Sequence, residues 1–421
     1  MSRENFAYRQ GRLCVEDLPL SEIAEQFGTP CYVYSRAALT AAFDSYRRVL
    51  QGPQGHDTLI CYAVKANSNL AILNLFARLG AGFDIVSGGE LSRVLAAGGD
   101  PAKVVFSGVA KSRAEIHQAL QAGIHCFNVE SASELERLNE IAGTLNVKAP
   151  ISLRVNPDVD PKTHPYISTG LKNNKFGVPF AEALALYRRA RALPHLAIRG
   201  IDCHIGSQLL DPAPAAEAAQ KILGLADTLA AEGMPLTHID LGGGMGIRYR
   251  DESVPTAEEY LGPILALLKG RREKLLIEPG RSLVGNAGAL LTRVEVVKCG
   301  SEKNFAIVDA AMNDLMRPAL YDAWHDILPV AQDSGGPRIY EIVGPVCESG
   351  DFLGQGRSLA LQEDDLLAVM SAGAYGMAMS SNYNSRPRAA EVMVDGSKAH
   401  LIRQREEVQQ LFAGEALLPA D

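Results

Sequence analysis

The stretch Leu59-Ile60-Cys61-Tyr62-Ala63-Val64-Lys65-Ala66-Asn67 is a short apolar run that ends on a lysine. Runs of this length bounded by polar residues are typical of buried strands, so the stretch predicts a strand with an amine at its carboxyl end. A lysine judged alone is most often a solvated strand terminus. Whether Lys65 has a chemical role therefore depends on what the rest of the chain places beside it.

Similar apolar runs recur along the first two thirds of the chain, and amphipathic stretches of helical composition separate most of them. The eight runs rich in Val and Ile occupy residues 59–64, 82–86, 103–106, 125–129, 151–155, 200–205, 237–241 and 275–278. Eight strands alternating with helices predict a parallel (β/α)8 barrel of the TIM type. A doubly wound open sheet is the alternative, since alternation alone fits both folds, and the count of eight favours the barrel.

The pattern changes after about residue 285, where helical stretches nearly vanish. β-type runs occupy residues 289–298, 304–308, 338–343, 366–371, 391–394 and 399–403, and several alternate apolar and polar residues. This alternation predicts a second domain, a mostly antiparallel β-barrel or sandwich. We therefore assign residues 30–285 to the barrel and residues 1–29 and 286–421 to a discontinuous β domain, which includes a strand near Leu13.

Three local predictions concern the segments between strands. Ser21 and Ser35 each precede a helical stretch and are predicted N-caps. The Pro- and Ala-rich residues 211–219 predict a surface insertion.

The overall composition excludes several classes of function. A net charge of −8, without a long Lys/Arg run, gives no electrostatic reason to expect nucleic acid or an anionic membrane as a partner. The seven cysteines are odd in number and include no Cys-x-x-Cys pair, which argues against a disulfide framework or zinc cluster and suits a reducing cytosol. No window approaches the roughly 20 apolar residues of a membrane span. We expect a cytoplasmic protein.

The residues that follow each predicted barrel strand are the candidates for an active site, because barrels place their active sites at the carboxyl ends of the strands. These residues are Lys65; Asp84 and Ser87; Arg154 and Asn156; His204-Ile205-Gly206-Ser207-Gln208; Gly242-Gly243-Gly244-Met245-Gly246; and Glu278-Pro279-Gly280-Arg281.

The glycine run after strand 7 lets backbone N–H groups approach an anion closely, and barrels commonly bind phosphate at this position. A tight turn that needs glycine only for its dihedral angles is the alternative. Ile247 stands where a dinucleotide fingerprint has its third glycine, and no Gly-x-x-x-x-Gly-Lys-Ser/Thr pattern occurs. A lone phosphate group is therefore favoured over ATP or NAD.

A lysine, a phosphate-binding loop and a carboxylate ending strand 8 are together what pyridoxal phosphate requires. Lys65 would supply the amine for the Schiff base, and Glu278 would keep the pyridine nitrogen protonated, so that the ring can accept electrons from the substrate α-carbon. Alone, Glu278 would more often form a salt bridge to a helix, and His204 would more often be a core or surface histidine than a ring-stacking one. Metal catalysis is less favoured, because the nine histidines show no His-x-x-x-His or His-Glu-x-x-His spacing.

The predicted β domain has candidates of its own. Gly344-Pro345-Val346-Cys347-Glu348-Ser349-Gly350-Asp351 follows a strand and brings a thiol next to two carboxylates. A free cysteine is usually a small buried hydrophobe, but the neighbours of Cys347 are glycine and acid, so a proton-transfer role is credible. Gly373-Ala374-Tyr375-Gly376-Met377 follows another run, and Arg317-Pro318-Ala319-Leu320-Tyr321 adds a cation and a phenol.

In their order and spacing, six of these motifs resemble the diaminopimelate decarboxylase family, of the alanine-racemase-like class of pyridoxal phosphate enzymes. The motifs are Tyr-Ala-Val-Lys-Ala-Asn, His-Ile-Gly-Ser-Gln, Gly-Gly-Gly, Glu-Pro-Gly-Arg, Cys-Glu-Ser-Gly-Asp and Gly-Ala-Tyr-Gly, and the resemblance extends from Tyr32 to Val394. It implies a homodimeric enzyme that uses pyridoxal 5'-phosphate to decarboxylate meso-2,6-diaminopimelate at its D-centre, giving L-lysine and CO2, the last step of lysine biosynthesis.

The resemblance also implies a role for each candidate residue. Lys65 would carry the Schiff base, His204 would stack on the ring, and Glu278 would face the pyridine nitrogen. The other cofactor contacts would be Ser207, Gly243, Gly244, Pro279, Gly280, Arg281 and Tyr375. The substrate would be bound by Arg281, Arg317 and Tyr321 at its distal carboxylate and by Glu348 at its distal ammonium, with Tyr375 close by. Cys347 would be the proton donor after CO2 leaves, and Cys347 and Glu348 would come from the partner subunit, so that the β domain completes the active site.

Two alternatives stay open. Decarboxylases of ornithine or arginine share the fold, but their substrates end in a cation where Arg281 and Arg317 favour a carboxylate. A non-enzymatic pyridoxal phosphate carrier on a similar barrel would lack the β domain and the cluster at Cys347 and Glu348. The loop at residues 172–177 receives no role from the sequence.

Overall fold

The computed structural model of the 421-residue chain describes residues 5–160, 175–332 and 335–419. The chain divides into two compact units. The barrel unit comprises Thr40–Ile247 and Glu252–Leu283, and the β unit comprises Met1–Leu39, Arg248–Asp251 and Val284–Asp421. Within the described ranges, no helix combines the length and the apolar character needed to cross a membrane.

The barrel unit contains a closed ring of eight parallel strands within the described part of the chain. The strands are Thr58–Ala63, Gly82–Ile85, Val104–Phe106, Cys126–Val129, Ala149–Asn156, Leu196–Asp202, His238–Asp240 and Lys274–Ile277. They pair in chain order, and the ring closes where Leu276 on the eighth strand pairs with Leu59 on the first. A two-residue strand, Val178–Pro179, adds to the edge of the fifth. The predicted (β/α)8 barrel is confirmed.

Helices follow the barrel strands, and polar residues in the connecting loops fix where several of them begin. Arg36–Leu50 precedes the first strand, and the helices that follow strands are Leu70–Arg78, Gly88–Ala96, Arg113–Ala122, Ala132–Thr144, Phe180–Ala192, Ala213–Ala231, Ala257–Leu267 and Arg281–Val284. Ser112 and Thr256 each form a capping box with the glutamate three residues later. Ser35 Oγ accepts the N–H of Ala38 at 3.0 Å, which confirms it as an N-cap.

Two of the local predictions are wrong. The helix predicted to start after Ser21 begins at Leu20, with Pro19 preceding it and no side-chain cap. The predicted surface insertion at residues 211–219 is instead the start of the helix Ala213–Ala231, in which Ala218 and Ala219 are buried. Alanine is the best helix former, and proline is tolerated in the first turn, so a Pro- and Ala-rich segment suits a helix start.

The described residues of the β unit form two sheets: its first three strands make one, and the other nine make a mixed, mostly antiparallel sheet. In chain order, the strands of both sheets are Phe6–Arg9, Arg12–Val15, Leu18–Pro19, Cys31–Ser35, Gly288–Cys299, Asn304–Val308, Ile327–Pro329, Arg338–Val343, Phe352–Leu359, Leu366–Val369, Ala390–Asp395 and Lys398–Arg403. The long strand Gly288–Cys299 is central, because it pairs antiparallel with Cys31–Ser35, Asn304–Val308 and Leu366–Val369. Short helices occupy Leu20–Phe27, Arg317–Tyr321 and Val408–Leu411. The prediction of a second, mostly antiparallel β domain is confirmed.

The strands Cys31–Ser35, Ile327–Pro329 and Phe352–Leu359 of the β unit lie outside the predicted β-type runs. Phe352–Leu359 pairs with Arg338–Val343 through two register shifts, and it contains Gly354 and the left-handed Gly356. Glycines at such irregular positions interrupt the alternation from which strands are predicted.

Candidate active site

Lys65 lies at the carboxyl end of the first barrel strand, in the 3-10 turn Val64–Ala66 that follows Thr58–Ala63. Its Nζ donates a hydrogen bond to Oδ2 of Asp84 on the second strand, at 2.6 Å. The side chain of Asp84 is fully buried, whereas that of Lys65 is 38% exposed. The amine is therefore both accessible and held in a fixed position by a buried charge.

Three carboxyl groups meet inside the barrel, contributed by Asp202, Asp240 and Glu278 at the ends of strands six, seven and eight. One oxygen of each lies within 4.8 Å of the others, and all three residues are buried. Burial, followed by the charge of Asp240, raises the pKa of Glu278 well above its ordinary value. Burial likewise raises the pKa of Asp240 to about 6. The cluster therefore keeps protons at a pH where exposed carboxyl groups have lost them.

Two features decide what this carboxyl cluster can bind. Glu278 Oε1 has no hydrogen-bond partner among the described residues, as expected of a side chain that serves a ligand. Three carboxylate oxygens this close could also coordinate a divalent cation. Arg154 already supplies a positive charge, however, because its Nε lies 3.9 Å from Asp202.

His204, which follows the sixth strand, is a neutral imidazole. Its Nδ1 accepts the N–H of Gly243 at 3.4 Å, so Nε2 carries the proton. Burial, followed by the positive charges of Arg154 and Lys65, lowers the pKa of His204 well below its ordinary value. An uncharged, flat ring at this position suits stacking on an aromatic cofactor.

The glycines after strand seven are required by the close approach of neighbouring loops. A Cβ on Gly243 would lie 2.2 Å from the carbonyl oxygen of Glu278. A Cβ on Gly244, which has a φ of +112°, would lie 2.6 Å from the carbonyl oxygen of Gly206. Packing alone thus accounts for these glycines, and the anion-binding hypothesis needs a further observation.

Arg281 supplies that observation, because it brings a buried cation to the same loops. Its Nε and Nη2 donate to Ser207 Oγ at 3.2 and 3.0 Å, and the residue is 7% exposed. Gly280 beside it packs against the Cβ atoms of Ala63 and Ala66, each 3.1 Å from where its own Cβ would stand. The loops after strands six, seven and eight therefore converge around a cation, next to the turn that carries Lys65.

In the β unit, Arg317 and Tyr321 are the first and last residues of the helix Arg317–Tyr321, so they share a face. Arg317 is 7% exposed, and its guanidinium carbon lies 4.5 Å from the centre of the Tyr249 ring. Its Nη1 is 2.8 Å from Nε2 of His325.

Tyr375 has a left-handed backbone, with a φ of +57°. The loop around it is tightly packed, since a Cβ on Gly373 would lie 1.9 Å from the carbonyl oxygen of Val284 and one on Gly376 would lie 2.7 Å from the Tyr32 hydroxyl. A tyrosine in this conformation is strained, and such residues cluster at ligand sites.

Cys347 and Glu348 are both exposed, in the turn after strand Arg338–Val343. The N–H of Cys347 donates to Asn384 Oδ1 at 2.9 Å, and the Tyr383 hydroxyl donates to Glu348 Oε2 at 2.9 Å. The second carboxylate that the sequence places near this thiol, Asp351, is buried and accepts the N–H groups of Met312 and Val346 at 2.7 and 2.8 Å. Asp351 therefore orders the turn, and one carboxylate lies at the surface with the thiol.

Sequence reasoning missed Asp202, Asp240 and His325. Asp202 and Asp240 are each the last residue of an apolar strand, three residues and one residue before the predicted boundaries, and an acid within an apolar run is a usable signal for an inward-facing carboxyl group. His325 offers no such signal. Of the loop at residues 172–177, residues 172–174 lie outside the described ranges, while Gly177 donates its N–H to Glu130 Oε2 at 2.8 Å.

Comparison with known proteins agrees with this geometry. Residues 36–285 match the family model for the pyridoxal binding domain of pyridoxal-dependent decarboxylases. A diaminopimelate decarboxylase of Pseudomonas aeruginosa is 61% identical over 416 residues, which cover 99% of this chain and 100% of that protein. Crystal structures of diaminopimelate decarboxylase complexed with L-lysine are similar as well. The M. jannaschii enzyme has a TM-score of 0.94 at 38% identity, covering 99% of both chains, and the Helicobacter pylori enzyme has 0.91 at 44%, covering 94% of this chain and 99% of that one.

The barrel, its strand-end lysine and the matched domain define a pyridoxal-dependent decarboxylase. Within that class, the chain belongs to the diaminopimelate decarboxylase family.

Proposed function

We propose a set of residue roles for the reaction of this family, the pyridoxal-phosphate-dependent conversion of meso-2,6-diaminopimelate to L-lysine and CO2. The observation that carries the assignment is the ion pair of 2.6 Å between Lys65, at a barrel strand end, and buried Asp84. It marks an amine that the barrel positions rather than a solvated strand terminus. The relatives are named for this activity, and two were crystallised with L-lysine.

The residues of the barrel fit pyridoxal phosphate. Lys65 is the amine that the cofactor's aldehyde would join. Glu278, buried and with Oε1 unpartnered among the described residues, would hold a proton at the pyridine nitrogen. His204, neutral and flat, would stack on the ring, and Tyr375 would contact it. Ser207, Gly243, Gly244, Pro279, Gly280 and Arg281 would hold the phosphate end. When bound, the cofactor supplies an electron-withdrawing ring that accepts the electrons of the breaking bond to the carboxylate.

Two arginines, one tyrosine and one glutamate select the substrate. Arg281, Arg317 and Tyr321 bind the distal carboxylate, and Glu348 binds the distal ammonium. A planar guanidinium is the natural partner of a carboxylate, and a buried one such as Arg317 would be a poor partner for the cationic end of ornithine or a similar substrate. This favours a substrate with a second carboxylate over the ornithine- or arginine-type alternative.

Cys347 donates the proton that replaces CO2, and both Cys347 and Glu348 act in the active site of a partner subunit. Their exposure supports this proposal, because a thiol and an acid with catalytic roles need a cover that excludes water. The enzyme is then a homodimer in which residues 30–285 bind the cofactor and the discontinuous β domain completes the site. We place it in the cytoplasm, since all seven cysteines are free.

Two experiments test the proposal. Purified protein loaded with pyridoxal phosphate is given meso-diaminopimelate, ornithine or L-lysine in three separate reactions, and CO2 release is measured in each. CO2 release from meso-diaminopimelate alone is expected, and release from ornithine or lysine at a similar rate would contradict the proposal.

The second experiment is borohydride reduction followed by mass spectrometry, which should locate the cofactor on Lys65. Lys65→Ala should lose both label and turnover, whereas the exposed-site control Lys269→Ala should keep both.

A further inference from the structure

Arg317 is in contact with a buried histidine, His325, which lies outside the six sequence motifs of the family. His325 is 0% exposed and lies between a hydrogen-bond acceptor and a hydrogen-bond donor. Its Nδ1 is 2.8 Å from the carbonyl oxygen of Met370, and its Nε2 is 2.8 Å from Nη1 of Arg317. A carbonyl oxygen can only accept a hydrogen bond, and a guanidinium can only donate one.

These polarities determine the state of the imidazole. Nδ1 must carry the proton and donate to Met370, and Nε2 must present its lone pair to Arg317. A second proton on the ring would set N–H against N–H. His325 is therefore a neutral acceptor directed at the guanidinium.

The β unit holds His325 in place through its backbone. The N–H of Met370 donates to the carbonyl oxygen of Asp326 at 2.8 Å, which continues the ladder between Ile327–Pro329 and Leu366–Val369 to the residue beside His325. The ring of Tyr249 lies edge-on to His325, with centroids 5.3 Å apart, and also stacks against Arg317. Tyr249 thus fixes the plane of the guanidinium from its face, and His325 fixes its rotation within that plane.

We propose that His325 is a positioning residue for substrate selection: it orients Arg317 for bidentate binding of the substrate's distal carboxylate. This inference rests on the proposed function of Arg317. A guanidinium that can rotate must be ordered when substrate binds, so loss of His325 weakens recognition of the carboxylate end and leaves the bond-breaking steps largely intact.

The test compares variants with different hydrogen-bonding ability at one site. His325→Gln keeps one donor and one acceptor, whereas His325→Phe keeps a flat ring and loses both. We expect His325→Phe to raise the KM for meso-diaminopimelate about tenfold, the range for a hydrogen bond to a charged group, with kcat changed less. His325→Gln should recover most of the loss. The exposed residue His117, mutated to Phe, is the control.

A double-mutant cycle decides whether His325 acts through Arg317. Added to Arg317→Met, the His325→Phe change should raise KM no further. Calorimetry on the holoenzyme adds a readout without turnover: affinity for L-lysine, which keeps the distal carboxylate, should fall in His325→Phe, while affinity for 1,5-diaminopentane should not.

The outcomes separate the two proposals. If Arg317→Met leaves KM unchanged, the assigned role of Arg317 is wrong. If Arg317→Met raises KM and His325→Phe does not, or if the two effects multiply, the role of His325 is wrong. Should His325→Phe fail to fold, His325→Leu takes its place in the cycle.

Discussion

Lys65 Nζ and Asp84 Oδ2 are 2.6 Å apart, and the aspartate is fully buried. This ion pair presupposes an ammonium, whereas attack on a carbonyl carbon requires a free amine. Asp84 therefore has two opposing effects: it holds the nitrogen in position and it favours the protonated form.

Replacing Asp84 separates these effects. Asp84→Asn keeps the shape and removes the charge, so the amine should join pyridoxal phosphate at lower pH. The pH midpoint of the cofactor's absorbance change should fall by about one unit or more, the size expected from removing one opposite charge. A pH midpoint that does not change would show that Asp84 does not favour the protonated form of the Lys65 amine. Glu258→Gln, at an exposed helical site, is the matched control.

Asp240 should destabilise the cofactor-free protein at neutral pH. Its pKa is raised to about 6 from 3.8, so the folded state binds its proton more tightly than the unfolded state does. Stability is then lost as pH rises from about 4 through 6, by about 3 kcal/mol in total. Asp240→Asn, which can keep the hydrogen bond from the Gly242 N–H, should raise the thermal midpoint at pH 8 and not at pH 4. An equal change at both values would contradict this explanation.

His238 should make the barrel unit sensitive to acid. Its ring lies 5.2 Å from that of His125, and burial lowers the pKa of His238 to about 3. A histidine held neutral stabilises the fold fully above its unfolded pKa of 6.5, and that stability is lost as pH falls toward 3. The loss is about 2 kcal/mol at pH 5. His238→Gln should therefore show a smaller drop in thermal midpoint between pH 7.5 and pH 5 than the unmodified protein. Exposed His400→Gln should drop as much as the unmodified protein, and a His238 variant that did the same would refute the prediction.

Gly244 should tolerate no side chain. Its φ of +112° and the Gly206 carbonyl oxygen 2.6 Å from a Cβ both oppose alanine. Gly244→Ala should cost more than about 1 kcal/mol of stability and speed the loss of pyridoxal phosphate on dialysis. Gly262→Ala, in the helix Ala257–Leu267 with open space around it, should instead be neutral or slightly stabilising. Normal cofactor retention in Gly244→Ala would show that this loop does not bind the cofactor.

Mixing two inactive variants tests the shared active site. Lys65→Ala carries a defect in the barrel unit, and Cys347→Ala/Glu348→Ala carries one in the β unit. If sites are shared between subunits, each mixed dimer has one intact site, and equal mixing should restore about a quarter of full activity. Activity that stays at the level of the separate variants would show that each chain builds its own site.

Much of the fold could be predicted from the sequence because its signals are local. Eight apolar runs separated by amphipathic stretches predicted the barrel, and alternating runs predicted the β unit. Lys65, His204 and Glu278 were found for the same reason: parallel strands bring their carboxyl ends to one edge, so chain order alone identifies the candidates. The strand Phe352–Leu359 was missed, because glycines break its alternation.

Other features depend on contacts between residues far apart in the chain, which only the tertiary structure decided. The sequence shows Glu348 and Asp351 as equal neighbours of a thiol, but backbone N–H groups bind Asp351 and leave Glu348 at the surface. It does not show how deeply Asp202 and Asp240 are buried inside the barrel, and this burial is what raises their pKa values. It does not single out His325, whose tautomer follows from one carbonyl and one guanidinium that the fold brings to either side of it. The sequence thus determined which chemical groups stand at the strand ends, and packing decided which of them are buried, paired or directed outward.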